Sequence, residues 1–254
     1  MRKIIPRPNS YNFSVDDVFE SLIEVTDKKL SLFDQSFFKF IKGLHNKFNA
    51  DIHCYLFYRG VINGKLRSLQ EVPSDIKNII RENSWLRFGP HSLDYNTAPY
   101  AERPEKMMET FDKIYSEIYR FAGNEHVSEF ARLHYFSELY ELADYFESKG
   151  VKALFSTDKD ILTHRMPKSI KKSLSSQGVG QYKGMNFIRT HFRIEYFITD
   201  YKSDKARKTY LKNLLDTFGF IIFFTHECDI SNPKVRRAII SCLQECKDFG
   251  LIST

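Results

Sequence analysis

Two adjacent carboxylates near the start of the chain have the types and spacing to do chemistry. Asp16 and Asp17 lie between the apolar residues Phe13 and Val18. Neighbouring side chains on a strand point to opposite faces, but where a strand ends and the chain bends, both can reach one pocket. One carboxylate could then bind a metal while the other acts as a base with a shifted pKa. The structural alternative is that Asp16 caps a helix whose first turn contains Asp17.

Other polar side chains follow segments that have the pattern of buried strands. These segments alternate with stretches of helical periodicity, which favours a parallel sheet, either open or closed into a barrel. The carboxyl ends of the strands in such a barrel converge on one mouth, so we expect polar residues there to share a site. The predicted strands cover residues 52–58, 85–89, 130–136, 151–157, 187–199 and 218–225. The polar residues near their ends are His91, Arg132, His134, Asp158 and His226.

Most of these side chains also have a structural explanation. His91 could hydrogen-bond a loop carbonyl, and His134 could be a satisfied core histidine on an aromatic strand. Arg132 could be a buried ion-pair partner of the Asp pair without a catalytic role. Asp158 could cap a turn. The pattern therefore leaves both structural and functional roles open for each residue.

Two charged residues, Arg193 and Glu195, alternate along the predicted strand over 187–199. Residues two apart on a strand share a face, so we predict an ion pair between them, and a role in substrate binding stays open. His226 follows six largely apolar residues. After the Asp pair, it is the strongest single functional candidate in the sequence.

Length and composition predict one domain with a large buried core. The 254 residues fit one α/β barrel-sized domain or two small domains, and no repeat or boundary is visible, so we predict a single domain over 1–254. Hydrophobic residues make up 42% and aromatic residues 15%, which excludes global disorder. No apolar run approaches the roughly 20 residues of a membrane span. The N-terminus lacks a signal-peptide pattern and the four cysteines show no secreted disulfide framework, so we expect a cytoplasmic protein.

The formal charge of +6 raises the question of nucleic-acid binding. Basic residues cluster over 168–172 and 202–212, but acidic residues are interspersed elsewhere, and no zinc-finger spacing or aromatic RNA-binding signature accompanies them. An excess of lysine of this size is typical of a solvated surface. It could also attract an anionic sugar nucleotide or polysaccharide. We therefore expect no nucleic-acid partner.

The order of the predicted elements resembles the NodB-type polysaccharide deacetylases of carbohydrate esterase family 4, and more closely their divergent WbmS-type members. The resemblance runs from about residue 11 to residue 227 and implies a single-domain irregular (β/α) barrel. The family's first motif, Thr-Phe-Asp-Asp-Gly, is similar to residues 14–18, which makes Asp16 the general base and Asp17 a metal ligand. The second motif, His-Ser/Thr-x-x-His, makes His91 a metal ligand, while Tyr95 stands where the second metal histidine belongs.

The remaining motifs of the family carry over to three further residues. Arg132 resembles the arginine that orients the base, with His134 in place of the usual proline after it. Asp158 is the candidate for the acidic fourth motif. His226 matches the histidine that acts as the acid in the fifth motif. We propose His134, which the family does not supply, as a third metal ligand.

The resemblance implies a metal-dependent hydrolase that removes an acyl group from the amide nitrogen of an N-acylated sugar in bacterial surface-polysaccharide biosynthesis. A divalent ion, zinc above all, would lower the pKa of a water and polarise the acyl carbonyl. The expected partner is an N-acylated sugar, a sugar nucleotide or a polysaccharide. The alternative is a metal-free carbohydrate-binding pseudoenzyme on the same fold.

Overall fold

A computed structural model describes residues 6–137, 139–157 and 166–254. Asp158 lies outside these residues. The strands are β1 (Ser10–Val18), β2 (Ile52–Phe57), β3 (Arg59–Ile62), β4 (Lys65–Ser68), β5 (Leu86–Ser92), β6 (Phe130–Ala131), β7 (Ala153–Ser156), β8 (Val179–Tyr182), β9 (Met185–Arg189), β10 (Phe192–Arg193), β11 (Phe220–His226) and β12 (Ile252–Ser253). The α-helices are α1 (Glu20–Lys28), α2 (Ser36–Phe48), α3 (Ile76–Arg81), α4 (Pro104–Phe121), α5 (Ala143–Ser148), α6 (Lys168–Gln177), α7 (Ile194–Asp200), α8 (Asp204–Phe218) and α9 (Pro233–Asp248).

The strands form two larger sheets and one hairpin. In the first sheet all pairs are parallel, in the order β10-β11-β1-β2-β5, and β12 adds to β1. The second sheet has the order β6-β7-β9-β8, with only the β8–β9 pair antiparallel. Strands β3 and β4 form the separate hairpin. The predicted α/β fold with a parallel sheet is therefore present.

Backbone contacts link the larger sheets on both sides, but within the described residues the strand pairing does not make one continuous ring. A single bridge joins Phe88 of β5 to Val127, just before β6. On the other side, the His191 N–H between β9 and β10 donates to the carbonyl of Ile222 on β11. The mixed α/β architecture is thus shown, whereas the closed barrel implied by the sequence is not.

Strand β1 lies in the middle of the first sheet, and its partners position its carboxyl end. Its parallel register with β11 places Asp16 opposite His226. The pairing with β2 shifts between Val15 and Val18, and Asp17 in that interval adopts a left-handed φ of 63°. This irregularity breaks the strict alternation of side chains, which lets two consecutive carboxylates face one cleft.

The central strands are buried because their sequences are apolar almost throughout, as expected for parallel strands covered on both faces. Every residue of β2 is buried, and so are the first six of β11. Aromatic rings join neighbouring strands of the first sheet: Phe223 stacks on Phe13 at a centroid distance of 5.2 Å and on Phe192 at 5.3 Å. The packed core fixes the strand ends that carry the polar residues.

Two predicted strands are wrong in part. The strand over 130–136 ends at Ala131, and His134 lies in a 3-10 turn whose next residue, Tyr135, has a φ of 54°. The strand over 187–199 ends at Arg193, and helix α7 begins at the next residue. Alternating apolar and polar residues cannot distinguish a strand from a short turn or helix when the apolar side faces the same core.

No helix among the described residues is both long enough and apolar enough to cross a bilayer.

Candidate active site

A cleft of about 630 Å³ opens at the carboxyl ends of the parallel strands. Its walls contain Asp16 and Asp17 from β1, His91 from β5, His134 from the turn after β6, and His226 from β11. The sequence places these side chains up to 210 positions apart, counting from Asp16 to His226. The structure therefore brings together five of the seven predicted site residues in one cleft wall.

Three of these residues point potential ligand atoms at one another. The Oδ1 of Asp17 lies 3.0 Å from the Nε2 of His91 and 3.6 Å from the Nδ1 of His134. The two imidazole nitrogens are 3.2 Å apart. All three atoms lie within 4.8 Å of one another, as a group that could hold a metal ion.

Main-chain carbonyls determine which nitrogen of each histidine carries the proton. The Nδ1 of His91 lies 2.7 Å from the carbonyl oxygen of Arg132, and the Nε2 of His134 lies 3.0 Å from that of Tyr95. A carbonyl oxygen only accepts, so both of these nitrogens donate. Burial and the neighbouring His91 lower the pKa of His134 to about 4, so its ring is neutral at pH 7. Its Nδ1 therefore presents a lone pair to the Nε2 of His91 and to the Asp17 carboxylate.

Asp17 is held in an unusual backbone conformation at the centre of this group. A non-glycine residue with left-handed φ costs roughly 1–2 kcal/mol and persists where the surroundings enforce it. Burial alone would raise the pKa of Asp17, but the hydrogen bond with His91 and the charge interactions with His91 and His226 lower it. Asp17 is therefore a carboxylate at neutral pH, the form that binds a cation.

The first turn of α1 is capped by the residue that directly follows β11. The carboxylate of Glu227 accepts hydrogen bonds from the N–H groups of Phe19, Glu20 and Ser21, at 3.0, 2.9 and 2.7 Å. Its own N–H donates to the carbonyl of Asp16 at 3.0 Å. The suggestion that Asp16 caps this helix is wrong, because Glu227 satisfies these amides and Asp16 lies within β1. The two strand ends are thereby tied together.

Asp16 forms a buried pair with Arg132. The Nε of Arg132 lies 3.4 Å from the Oδ1 of Asp16, and both side chains are almost fully buried. The guanidinium also donates to the hydroxyls of Thr190 and Ser14, and it lies over the ring of Phe224. Burial raises the pKa of Asp16 although the positive charge of Arg132 opposes this. The pairing that the sequence suggested is present, and a raised pKa suits a carboxylate that accepts a proton near neutral pH.

His226 faces two carboxylates. Its Nδ1 lies 3.5 Å from the Oε1 of Glu195 and 3.5 Å from the Oδ2 of Asp229. Burial favours the neutral ring, but the hydrogen bond to Glu195 and the charges of Asp16, Glu195 and Asp17 outweigh it and raise the pKa of His226 to about 9. The ring is thus a cation at pH 7, able to give up a proton.

Sequence reasoning did not assign Glu195 and Asp229 to the site. Glu195 was predicted to lie on a strand and to pair with Arg193, but it lies in the first turn of α7 and its carboxylate faces Thr225 and His226. Asp229 is three residues after His226, a spacing that could have indicated a partner. Glu195 reaches the His226 ring because α7 packs beside the end of β11.

Aromatic side chains surround the entrance of the cleft. Tyr95 and Tyr135 are 65% and 50% exposed, far more than an interior tyrosine, and their rings lie 5.7 and 4.1 Å from that of His134. By the resemblance, Tyr95 stands at the position of the second metal histidine; here its carbonyl lies 3.0 Å from the Nε2 of His134 and its ring packs beside the same histidine. Exposed tyrosines of this kind offer apolar faces on which a sugar ring can stack.

A larger cavity, of about 1100 Å³, lies at the opposite ends of the strands. Its lining mixes basic residues such as Arg87 and Lys152 with acidic ones such as Asp51 and Glu129. Lys152 and Glu129 already pair with each other there. The smaller cleft is the better candidate, because its acids, bases and lone pairs converge.

No protein-family model and no curated protein matches this sequence. Among solved structures, the fold is similar to 4-alpha-glucanotransferase from Thermococcus litoralis, at 10% identity and a TM-score of 0.57, over 94% of this chain and 38% of that chain. It is also similar to a proposed polysaccharide deacetylase from Mycobacterium smegmatis, at 12% identity and a TM-score of 0.50, over 99% and 94% of the two chains. A polysaccharide deacetylase from Bacillus cereus matches at 14% identity and a TM-score of 0.47, over 98% and 92%.

The chain has the mixed α/β fold of these proteins. At such low identity the likeness shows the fold alone, which is compatible with the predicted NodB-type architecture. This chain spans well under half of the glucanotransferase. Any activity must therefore be argued from the cleft and its residues.

Proposed function

We propose that this protein is a metal-dependent hydrolase that removes an acyl group from the amide nitrogen of an N-acylated sugar. The observation that carries the proposal is the convergence of Asp17, His91 and His134 on one point of the cleft. Three electron-pair donors at this spacing repel one another unless a cation lies between them. A proton could remove the repulsion within one pair of donors, whereas a divalent ion removes the repulsion among all three.

The distances within the triad support a tetrahedral ion such as zinc. Two ligands bound tetrahedrally at 2.0–2.1 Å lie about 3.3 Å apart. The three separations, 3.0, 3.2 and 3.6 Å, bracket that value. Three protein ligands with an open fourth position are the pattern of catalytic rather than structural zinc. The carbonyls behind His91 and His134 supply the outer hydrogen bonds that orient such ligands.

The neighbouring residues could carry the proton transfers of amide hydrolysis. When bound, the ion supplies Lewis-acid polarisation of the acyl carbonyl and a lowered pKa for a water. Asp16 accepts the proton of the attacking water, and Arg132 keeps this carboxylate oriented. His226, charged at pH 7, donates a proton to the departing amine nitrogen. Asp158, the remaining sequence candidate, lies outside the described residues.

The substrate class rests on the fold and on the aromatic entrance. A solved structure with this fold is a proposed polysaccharide deacetylase, and the exposed Tyr95 and Tyr135 could stack on a sugar ring. We place the protein in the NodB superfamily, as a WbmS-type member with the irregular barrel of that group. An N-acylated sugar, a sugar nucleotide or a polysaccharide of a bacterial surface is then the substrate.

A second candidate is a carbohydrate-binding protein without metal. It is favoured by the tyrosine at position 95, where the family has a metal histidine, and by the exposed rings at the entrance. In that case the triad would hold a proton, and sugars would bind without release of an amine.

The test is a screen of N-acylated hexosamines, their nucleotide-linked forms and their polymers for release of free amine. We expect turnover that a chelator abolishes and zinc restores. Binding of a sugar by calorimetry without any amine release, in protein that holds no metal even after zinc is added, would overturn the hydrolase in favour of the binding protein. The matched control His45→Gln changes a histidine that stacks on Trp85, outside the cleft lining, and should leave turnover unchanged.

A further inference from the structure

One oxygen of Glu195 contacts three groups at the end of β11. The Oε1 accepts hydrogen bonds from the hydroxyl of Thr225 and from the N–H of His226, the latter at 3.0 Å. It also lies 3.5 Å from the Nδ1 of the His226 ring. The glutamate thus contacts both the main chain and the side chain of the same histidine. An interaction of this kind constrains the ring more than a single contact would.

A second carboxylate, Asp229, lies at the same distance from the ring but is held differently. The side chain of Asp229 is 39% exposed, whereas that of Glu195 is 16% exposed. Charge interactions weaken with exposure to water. Glu195 is therefore the stronger partner of His226, and Asp229 adds to it from the solvent side.

We propose that Glu195 is the positioning residue for His226, orienting the ring with Nδ1–H toward the carboxylates and leaving Nε2 as the nitrogen available to the substrate. The inference rests on the hydrolytic function proposed above and adds a residue from α7 to that site. The resemblance makes Asp158 the candidate for the acidic fourth motif, and Asp158 lies outside the described residues. The geometry points to Glu195, which no motif in the sequence marks.

The charges around His226 come from four elements of the cleft. The carboxylates among them favour the protonated ring. The groups are Asp16 and Asp17 at the end of β1, Glu195 on α7, Asp229 after β11, and His134 after β6. The hydrogen bond to Glu195 is the largest contribution in favour of the charged ring. Removing the charge of Glu195 should therefore lower the pKa of His226 more than removing any other of these charges. Glu195 in turn has its pKa lowered to about 2, because the hydrogen bonds and charge of His226 outweigh burial, and it stays ionised.

The test uses Glu195→Gln, which keeps the size of the side chain and an oxygen able to accept from Thr225 and the main chain. Only the negative charge is lost. We expect kcat to fall at least about tenfold, with KM changed less than about threefold, because general acid catalysis typically contributes 10²–10⁴. In protein labelled with ¹⁵N in its histidines, the pKa of His226 should fall by more than about one unit. The nuclear magnetic resonance measurement needs no turnover, so it decides the inference even if the substrate assignment fails.

Two further variants separate positioning from packing. Asp229→Asn should lower kcat less than Glu195→Gln does, and the fall in the pKa of His226 should be several-fold smaller. Thr225→Val removes a hydroxyl partner of Glu195 without touching its charge, and should give an effect between those two. If Glu195→Gln fails to fold, the other two variants still decide the point. A larger effect of Thr225→Val than of Asp229→Asn on kcat and on the pKa of His226 supports the inference, and the reverse order contradicts it.

An unchanged kcat and an unchanged His226 pKa in Glu195→Gln would overturn the inference. So would a larger effect of Asp229→Asn than of Glu195→Gln, since Asp229 would then be the orienting group. A loss of thermal stability in Glu195→Gln with normal kcat per folded molecule would show a structural role only, which also overturns it.

Discussion

The Nε2 of His91 and the Nδ1 of His134 lie 3.2 Å apart, while the other nitrogen of each ring is 3.0 Å or less from a main-chain carbonyl. The carbonyls hold the outer protons, so the facing nitrogens are the ones free to bind a cation. Asp17 completes the group from the bend at the end of β1. The local chemistry of this cleft follows from that arrangement.

His134 is the ligand of the proposed metal site that the family's motifs do not supply, and substitution tests its role. His134→Ala removes a nitrogen of the triad and should weaken zinc binding at least about tenfold, since metal sites lose such affinity even when only an outer partner is changed. Tyr95→Phe is the matched control. It keeps the carbonyl that contacts His134 and alters only the exposed side chain, so zinc affinity should be unchanged. Calorimetric titration of metal-free protein measures both, and equal affinity of the two variants would remove His134 from the site.

The base can be tested by separating activity from stability. Asp16→Asn should lower kcat by about 10²–10⁴, the usual contribution of general base catalysis, while zinc stays bound. Because burial raises the pKa of Asp16 in the folded protein, its ionised form destabilises the fold as pH rises through that pKa. At pH 7 the neutral asparagine relieves that penalty but leaves the buried guanidinium of Arg132 without its carboxylate partner, so we expect a lower unfolding temperature than that of wild type, in a protein that is still folded when it is assayed. A variant with full activity would show that Asp16 is not the base.

The dependence of kcat on pH should reflect the ionisation of His226. Its pKa is raised to about 9, so the proton that the leaving amine needs is present at neutral pH and lost as pH rises through that value. We expect kcat to fall on the alkaline side near pH 9. The raised pKa also means that the charged ring stabilises the fold fully below pH 6.5, and that this contribution disappears as pH rises through 9. A profile with no alkaline decrease, in zinc-saturated protein, would assign the acid to another group.

Arg132 should be intolerant of a conservative change. Its guanidinium is fully buried, lies over the rings of Phe224 and Phe155, and reaches Asp16 and Thr190. A lysine has neither the planar fork nor the stacking surface. Arg132→Lys keeps the positive charge but loses the hydrogen bond to Thr190 and the contacts with the two rings, so it should lower the free energy of unfolding by about 1–3 kcal/mol, the cost of leaving a buried partner unsatisfied. Denaturant unfolding measures this loss. The control is Arg81→Lys, which changes one partner of an exposed ion pair and should have almost no effect.

The long elements could be predicted from the sequence because their patterns are unambiguous. Helices α4 and α9 begin at Pro104 and Pro233, and proline favours the first position of a helix. Strands β2 and β11 fall within the apolar runs over 52–58 and 218–225. Parallel strand ends converge by geometry, so Asp16, Asp17, His91 and His226 could be expected to meet. The structure brings them together, while their chemical roles stay predictions.

The short elements could not be predicted, and they carry the most specific parts of the site. His134 reaches the triad from a turn with two successive left-handed residues, Tyr135 and Phe136, neither of which is a glycine that would signal such a turn. Glu195 reaches His226 from a helix that begins directly after a two-residue strand. Tertiary packing determines both conformations, and local periodicity does not record it.

The account depends above all on whether a metal ion is bound, and elemental analysis of the purified protein tests this most directly. It should be made with and without prior treatment by a chelator, beside Asp17→Ala and His91→Ala. We predict about one divalent ion per chain in the wild type and a loss of that ion in both variants, since each removes one of only three ligands. Absence of metal from every preparation, even after addition of zinc, nickel or cobalt, would contradict the hydrolytic mechanism and leave a sugar-binding cleft.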